Sequence, residues 1–126
     1  MTGKTATQLV QDAKSRIENL TPDQVQAEIA AGNVTLVDIR DAPELSSGTI
    51  AGAVHASRGM LEFYADPSSP YHKAELNPDG RVILYCASGG RSALAILALR
   101  ELGYTNVAHL DGGFKAWQAA GKPINV

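Results

Sequence analysis

The sequence predicts an α/β protein in which helices cover both faces of an open parallel sheet. Two observations carry this. Short apolar runs rich in β-branched residues, Val34–Arg40 and Arg81–Tyr85, alternate with segments of helical periodicity. Several of those helical segments are also bracketed by their own start and stop residues. At 126 residues the chain fits one domain with a real hydrophobic core.

Along the chain, Thr5–Glu18 reads as an amphipathic helix, because Leu9, Ala13 and Ile17 recur every four residues with Val10 beside them. A second helix has a strong start. Thr21 is a good N-cap, Pro22 suits the first helical position and Gln24 completes a capping box, while Leu20 and Val25 can staple across the cap. This helix runs to about Ala31 and stops at Gly32. Val34–Arg40 is a buried strand, Ala53–Ala56 a shorter one, and Met60–Tyr64 a helical turn. The stretch Asp66–Gly80 holds three prolines and the turn Asn77-Pro78-Asp79-Gly80, so it reads as a flap-like loop. Arg81–Tyr85 is the clearest strand and Arg91–Leu102 the clearest helix, closed by Gly103. Val107–Leu110 is a last strand and Phe114–Ala120 a last helix, closed by Gly121. The expected organisation is an N-terminal helix over residues 1–19 and a domain over residues 20–126, forming one compact unit.

Composition narrows the function. Hydrophobic residues at 44% and charged residues at 19% describe a folded globular chain. The 11 basic residues are outnumbered by 13 acidic ones and form no stripe, which argues against nucleic acid as a partner. The single cysteine, Cys86, forbids an intrachain disulfide, and His55, His72 and His109 lie too far apart in sequence to suggest a metal site with it. Neither a metal nor a cofactor is expected. Lys4, Asp12, Lys14 and Arg16 interrupt any apolar leader, and no apolar run reaches membrane-spanning length. The expected location is the cytoplasm, with no membrane partner.

The stretch that carries chemistry is Cys86-Ala87-Ser88-Gly89-Gly90-Arg91-Ser92, between the best strand and the best helix. In open parallel sheets, ligands bind beyond the carboxyl ends of the strands, which is where Cys86 falls. The small residues Ala87, Ser88, Gly89 and Gly90 let the backbone curl so that its N–H groups point inward as an anion nest. The following helix aims its positive end at the same spot, and Arg91 adds a cation. Such a setting favours the thiolate, which is the nucleophilic form of cysteine.

At this loop the chain resembles the rhodanese family. Val37-Asp38-Ile39-Arg40-Asp41 looks like the family's first signature, an Asp and an Arg at the end of a central strand. Gly48-Thr49-Ile50-Ala51-Gly52-Ala53-Val54 is similar to its second, with Thr49 and Ala51 in place of the usual His and Pro. Cys86–Ser92 resembles the active-site loop, and Leu110-Asp111-Gly112-Gly113-Phe114-Lys115-Ala116-Trp117 the C-terminal signature. The four motifs stand in order over Leu20–Pro123.

The resemblance implies a three-layer α/β/α fold around a parallel sheet of about five strands. It implies a sulfurtransferase that moves sulfur from thiosulfate or a persulfide donor to cyanide or a thiol through a persulfide on Cys86. Ala87, Ser88, Gly89, Gly90, Arg91 and Ser92 would bind the substrate, with help from Arg58. Asp38 and Arg40 would support the loop, more by holding strand ends together than by touching substrate. Glu62 and Tyr64 are weaker candidates for the rim, and Asp111-Gly112-Gly113 reads as a tight turn ahead of core anchors Phe114 and Trp117. Many relatives carry a cation where this chain has Ala87 and Ser88. That keeps open a sulfur carrier supplied by a protein persulfide donor or serving a protein thiol acceptor. A cysteine phosphatase or arsenate reductase of related fold is the remoter reading, since four residues rather than five separate Cys86 from Arg91.

Overall fold

The computed structural model describes residues 3–126. Its elements in chain order are α1 (Ala6–Lys14), β1 (Glu18–Leu20), α2 (Pro22–Ala31), β2 (Thr35–Asp38), β3 (Val54–His55), α3 (Leu61–Ala65), β4 (Val82–Tyr85), α4 (Gly90–Glu101), β5 (Val107–Leu110) and α5 (Gly113–Ala119). Short 3-10 turns over Ala42–Ser47 and Arg58–Met60 complete the path. The five strands form one parallel sheet in the order β1-β5-β4-β2-β3.

Side chains alternate across the sheet and divide the core in two. Val37, Val82, Leu84, Cys86 and Val107 point to the face covered by α3 and α4, where Leu61, Ile96 and Leu99 meet them. Leu36, Ile83, Tyr85, Ala108 and Leu110 point to the opposite face, against Val25 of α2 and Phe114 and Trp117 of α5. Both halves are predominantly apolar, as expected for a sheet buried on two sides, with the hydrogen-bonded Ser92 and His109 buried on the first face. Helix α1 packs outside α4.

The local signals around Thr21 act as their chemistry dictates. Gln24 N–H donates to Thr21 Oγ1 at 3.2 Å, and Thr21 N–H donates to Gln24 Oε1 at 2.9 Å. Gly32 ends the helix with φ at 84°, a conformation open to glycine. Leu20 and Val25 are buried in the same cluster.

Three expectations change. The first helix stops at Lys14 instead of reaching Glu18, and Glu18–Leu20 becomes the edge strand β1, paired to β5. The boundary expected between residues 19 and 20 therefore falls inside a strand of the common sheet. A strand of three residues with only Leu20 buried has too short and too polar a pattern to register as period two. The stretch Asp66–Gly80 is pinned rather than flap-like. Leu76 is fully buried, and Lys73 N–H donates to the Tyr64 carbonyl at 2.9 Å.

The topology itself marks a site. From β2 the chain moves to β3 on one side, while from β4 it moves to β5 on the other. A crevice opens between such diverging connections at the carboxyl ends of β2 and β4. Asp38, Ile39 and Arg40 leave one of these ends and Cys86 leaves the other.

Candidate active site

Cys86 follows the last residue of β4 and is 1% exposed. Gly89 takes φ at 99° as the N-cap of α4, which turns the chain back over the sulfur. Two backbone amides then aim at Sγ: Gly89 N–H at 3.2 Å and Ser92 N–H at 3.4 Å. The Ser92 hydroxyl oxygen lies 3.5 Å from Sγ. The inward amides and the start of a twelve-residue helix form the anion-favouring setting that the glycine-rich spacing predicts.

The outer side of this loop is held by the neighbouring strand's turn. Phe114 N–H donates to the Cys86 carbonyl at 2.8 Å, and Lys115 N–H donates to the Ala87 carbonyl at 3.0 Å. Gly113 makes this approach possible. A Cβ there would stand 2.5 Å from the Cys86 carbonyl oxygen and 2.7 Å from Ala87 backbone atoms. The Gly112-Gly113 pair is thus more than a tight turn: it lets α5 brace the cysteine loop.

Asp38 and Arg40 form a buried pair on the other flank. Arg40 Nη2 reaches Asp38 Oδ2 at 2.6 Å and the Gly48 carbonyl at 2.8 Å, and its Nε reaches Asp38 Oδ1 at 3.0 Å. Its guanidinium sits 4.4 Å over the Phe114 ring. The pair ties strand β2 to the segment Asp41–Gly48 and satisfies its own charges, as buried ions require. That segment presents Glu44, whose two carboxylate oxygens take Arg91 Nη1 at 2.7 Å and Nη2 at 2.9 Å. Arg91 lowers Glu44 to about 2. The cation expected beside the sulfur is therefore held in a bidentate ion pair, and its charge at Cys86 is largely offset.

Arg58 is similarly occupied. Its Nη1 meets Glu62 Oε1 at 2.8 Å within one helical turn. Tyr64 packs on the core, with Lys73 Nζ 4.7 Å from its ring centre. Among the described residues, no hydrogen bond joins Arg58, Glu62 or Tyr64 side chains to the cysteine loop. Ser88 and Gly90 line a shallow cleft with Ala6, Thr7, Val10, Gln11 and Lys14, so α1 forms a wall beside the loop. Ala87 lines a second cleft, of about 280 Å³, with Arg40, Glu44, Phe114 and Lys115 among its walls.

Two residues here escape a reading of motifs. Lys115 borders the Ala87 cleft, and its ammonium has no carboxylate partner among the described residues. His109 is fully buried, with Nδ1 2.8 Å from Ser92 Oγ. Burial depresses its pKa from 6.5 to about 4, so the ring is neutral near pH 7. A period-two reading could have found it. His109 pairs in register with Leu84, two residues before Cys86 on the adjacent strand, so all three point to one face.

Fold and site together define a parallel α/β protein with a cysteine seated in a strand-to-helix amide cradle. The family model of the rhodanese-like domain matches residues 21–120, and the chain belongs to that family. It is 36% identical over 92 residues to a protein named sulfurtransferase from Allochromatium vinosum, covering 73% of this chain and 78% of that one. It is 33% identical over 105 residues to the thiosulfate sulfurtransferase GlpE of Actinobacillus succinogenes, covering 83% and 87%. A solved structure from Rhodopseudomonas palustris, of a protein of unknown function named as a possible tyrosine phosphatase, is 41% identical. It superposes with a TM-score of 0.91 over 99% of this chain and 97% of that one. No described helix is long and apolar enough to cross a membrane.

Proposed function

We propose that the chain is a sulfurtransferase that carries sulfane sulfur as a persulfide on Cys86. It takes the sulfur from thiosulfate or a persulfide donor and passes it to a thiophilic acceptor, cyanide or a thiol. The observation that carries this reading is the cradle of amides at 3.2 and 3.4 Å from Sγ, built within the short loop from Cys86 to Ser92. Hydrogen bonds aimed at an anionic sulfur are stronger than neutral ones, and their strength is preorganised. In the first half-reaction the Cys86 thiolate attacks the outer sulfur of thiosulfate. A new S–S bond forms as the donor's S–S bond breaks, and sulfite leaves with the electron pair. In the second, the acceptor attacks the outer persulfide sulfur and the Cys86 thiolate is released. The two steps balance without a cofactor. A reducing compartment, the cytoplasm, suits chemistry on a free thiol.

A second reading has its own observation. Arg91 is committed to Glu44 and Arg58 to Glu62, which leaves a dianionic donor with little cationic help beyond Lys115. This favours a persulfide delivered on a partner protein's thiol over free thiosulfate. The same commitment of Arg91 weighs against a cysteine phosphatase, which needs its arginine for the phosphoryl oxygens.

Intact mass after incubation with thiosulfate, on wild type and Cys86→Ser, tests the proposal. Gain of one sulfur atom by wild type alone, removed by cyanide with formation of thiocyanate, is expected. Loading only from a persulfidated protein donor selects the second reading. No loading from either, with aryl phosphate hydrolysis that requires Cys86, overturns both.

A further inference from the structure

Cys86 is buried, 1% exposed, so a route for its thiol proton through neighbouring polar groups is favoured over direct loss to bulk water. Among the described residues, its side-chain hydrogen-bond partner is Ser92, with Oγ at 3.5 Å. Ser92 Oγ in turn lies 2.8 Å from His109 Nδ1, and His109 Nε2 lies 2.8 Å from Asn19 Oδ1. The direction of these bonds is set at the far end. Asn19 Nδ2 donates to the Lys14 carbonyl at 2.9 Å and to the Ile17 carbonyl at 3.2 Å, which fixes the amide and leaves Oδ1 facing the ring. His109 therefore carries its proton on Nε2 and offers a lone pair at Nδ1. Ser92 donates to that lone pair, the shorter contact, in preference to the Gly89 carbonyl at 3.4 Å. Ser92 then presents its own lone pair to the thiol. The polar chain Cys86–Ser92–His109–Asn19 runs from the nucleophile to the exposed edge strand β1.

We propose that His109 accepts the Cys86 thiol proton through Ser92, as a positioning residue that keeps the sulfur nucleophilic; this rests on the reading of Cys86 as the sulfur carrier. The S–H bond breaks as the proton bonds to Ser92 Oγ, while the proton of the Ser92 hydroxyl passes to Nδ1. The products are a thiolate and an imidazolium, with Ser92 unchanged and Nε2–H still on Asn19. Other charges around the ring are few. Asp111, beyond the end of its own strand, favours the imidazolium and Lys14 of α1 disfavours it, and these two pair with each other at 2.8 Å. Burial keeps the ring neutral at rest, which is the state able to receive a proton. The thiolate formed one hydroxyl away offsets that burial during the transfer.

Alkylation of Cys86 by iodoacetamide, followed by intact mass from acid to alkaline pH, tests this. Wild type, Ser92→Ala, His109→Asn and the double variant are compared, with Tm recorded for each. His109→Asn keeps an acceptor for the Ser92 hydroxyl but has no nitrogen that takes a proton. The expected result is alkylation at least about tenfold slower near neutral pH in each single variant, approaching wild type as hydroxide rises. Because both belong to one path, the double variant is no slower than the slower single. Wild-type rates in His109→Asn at every pH, or losses that add in the double variant, overturn the proposal. If His109→Asn does not fold, an unchanged pH profile in Ser92→Ala overturns it alone. Alkylation uses no sulfur donor, so normal alkylation in a wild type that takes no sulfur defeats the functional reading and not this one.

Discussion

Two strand-to-helix turns stand side by side at the carboxyl end of the sheet, and they do opposite jobs with similar backbones. One follows β4 and the other follows β5, and each enters its helix through a glycine of positive φ, Gly89 at 99° and Gly112 at 79°. In the first turn the amides point inward at the Cys86 sulfur. In the second, the first amides of α5 point sideways and take the carbonyls that the first turn leaves facing outward. The same left-handed entry thus serves once to hold a sulfur and once to hold the loop that holds it. The lesson is that a helix start becomes a site only when its amides are left for a ligand. Here the neighbouring turn accepts the structural load so that the cysteine turn need not.

Breaking the bracing turn should have the largest effect. Gly113→Ala combines a positive φ of 63° with a Cβ 2.5 Å from the Cys86 carbonyl oxygen. Left-handed strain and overpacking together cost about 3 kcal/mol. Urea denaturation should show that loss, and persulfide loading should fall even where the variant is folded. A stable, fully active Gly113→Ala would mean that α5 is not the brace.

Acid should act through His109 on a nearly equal scale. Its folded pKa of about 4 lies below the unfolded value of 6.5, so between these values the unfolded chain binds the extra proton. Stability is therefore full above pH 6.5 and declines as pH falls toward 4, by about 3 kcal/mol in all. His109→Asn should flatten this limb of a stability-against-pH curve. An unchanged slope would place the acid loss elsewhere, with Glu44 the next candidate at lower pH.

Gly89→Ala probes the contact between the turns. Its Cβ would lie 3.1 Å from Gly112 N and force a side chain into positive φ, at a cost of about 2 kcal/mol. Because Gly89 N–H also faces the sulfur, loading should slow more than stability falls. Equal effects on both would assign the residue to folding alone.

The smallest change in stability, under about 1 kcal/mol for a partly exposed pair, should follow Glu44→Gln. Its effect on substrate is more telling. Releasing Arg91 from Glu44 should lower the KM for thiosulfate severalfold while leaving a protein persulfide donor little affected. An unchanged KM would show that Arg91 does not face the donor even when free.

The local elements were legible in the residues themselves. The Thr21–Gln24 capping box, the Gly32 stop and the strands around Leu84 and Val37 rest on interactions within a few positions, where residue type dictates geometry. The cysteine loop was legible for the same reason, since a nucleophile, small residues and a helix start are contiguous. The surroundings of Arg91 are not legible in the sequence. Its partner Glu44 lies 47 residues earlier, and no local pattern connects them. Strand β1 carries no local signal because pairing with β5, not its own three residues, makes it a strand.

By itself, then, the chain determined most of its helices, its buried central strands and the placing of Cys86 at a glycine-rich helix start. Those features follow from backbone conformation, capping and side-chain periodicity, all short-range. Only the folded arrangement decided which groups surround the sulfur. Parallel pairing of strands distant in sequence set His109 behind Ser92, Gly113 against the Cys86 carbonyl and Glu44 across Arg91, because hydrogen bonds and ion pairs act over a few ångströms of space regardless of separation along the chain.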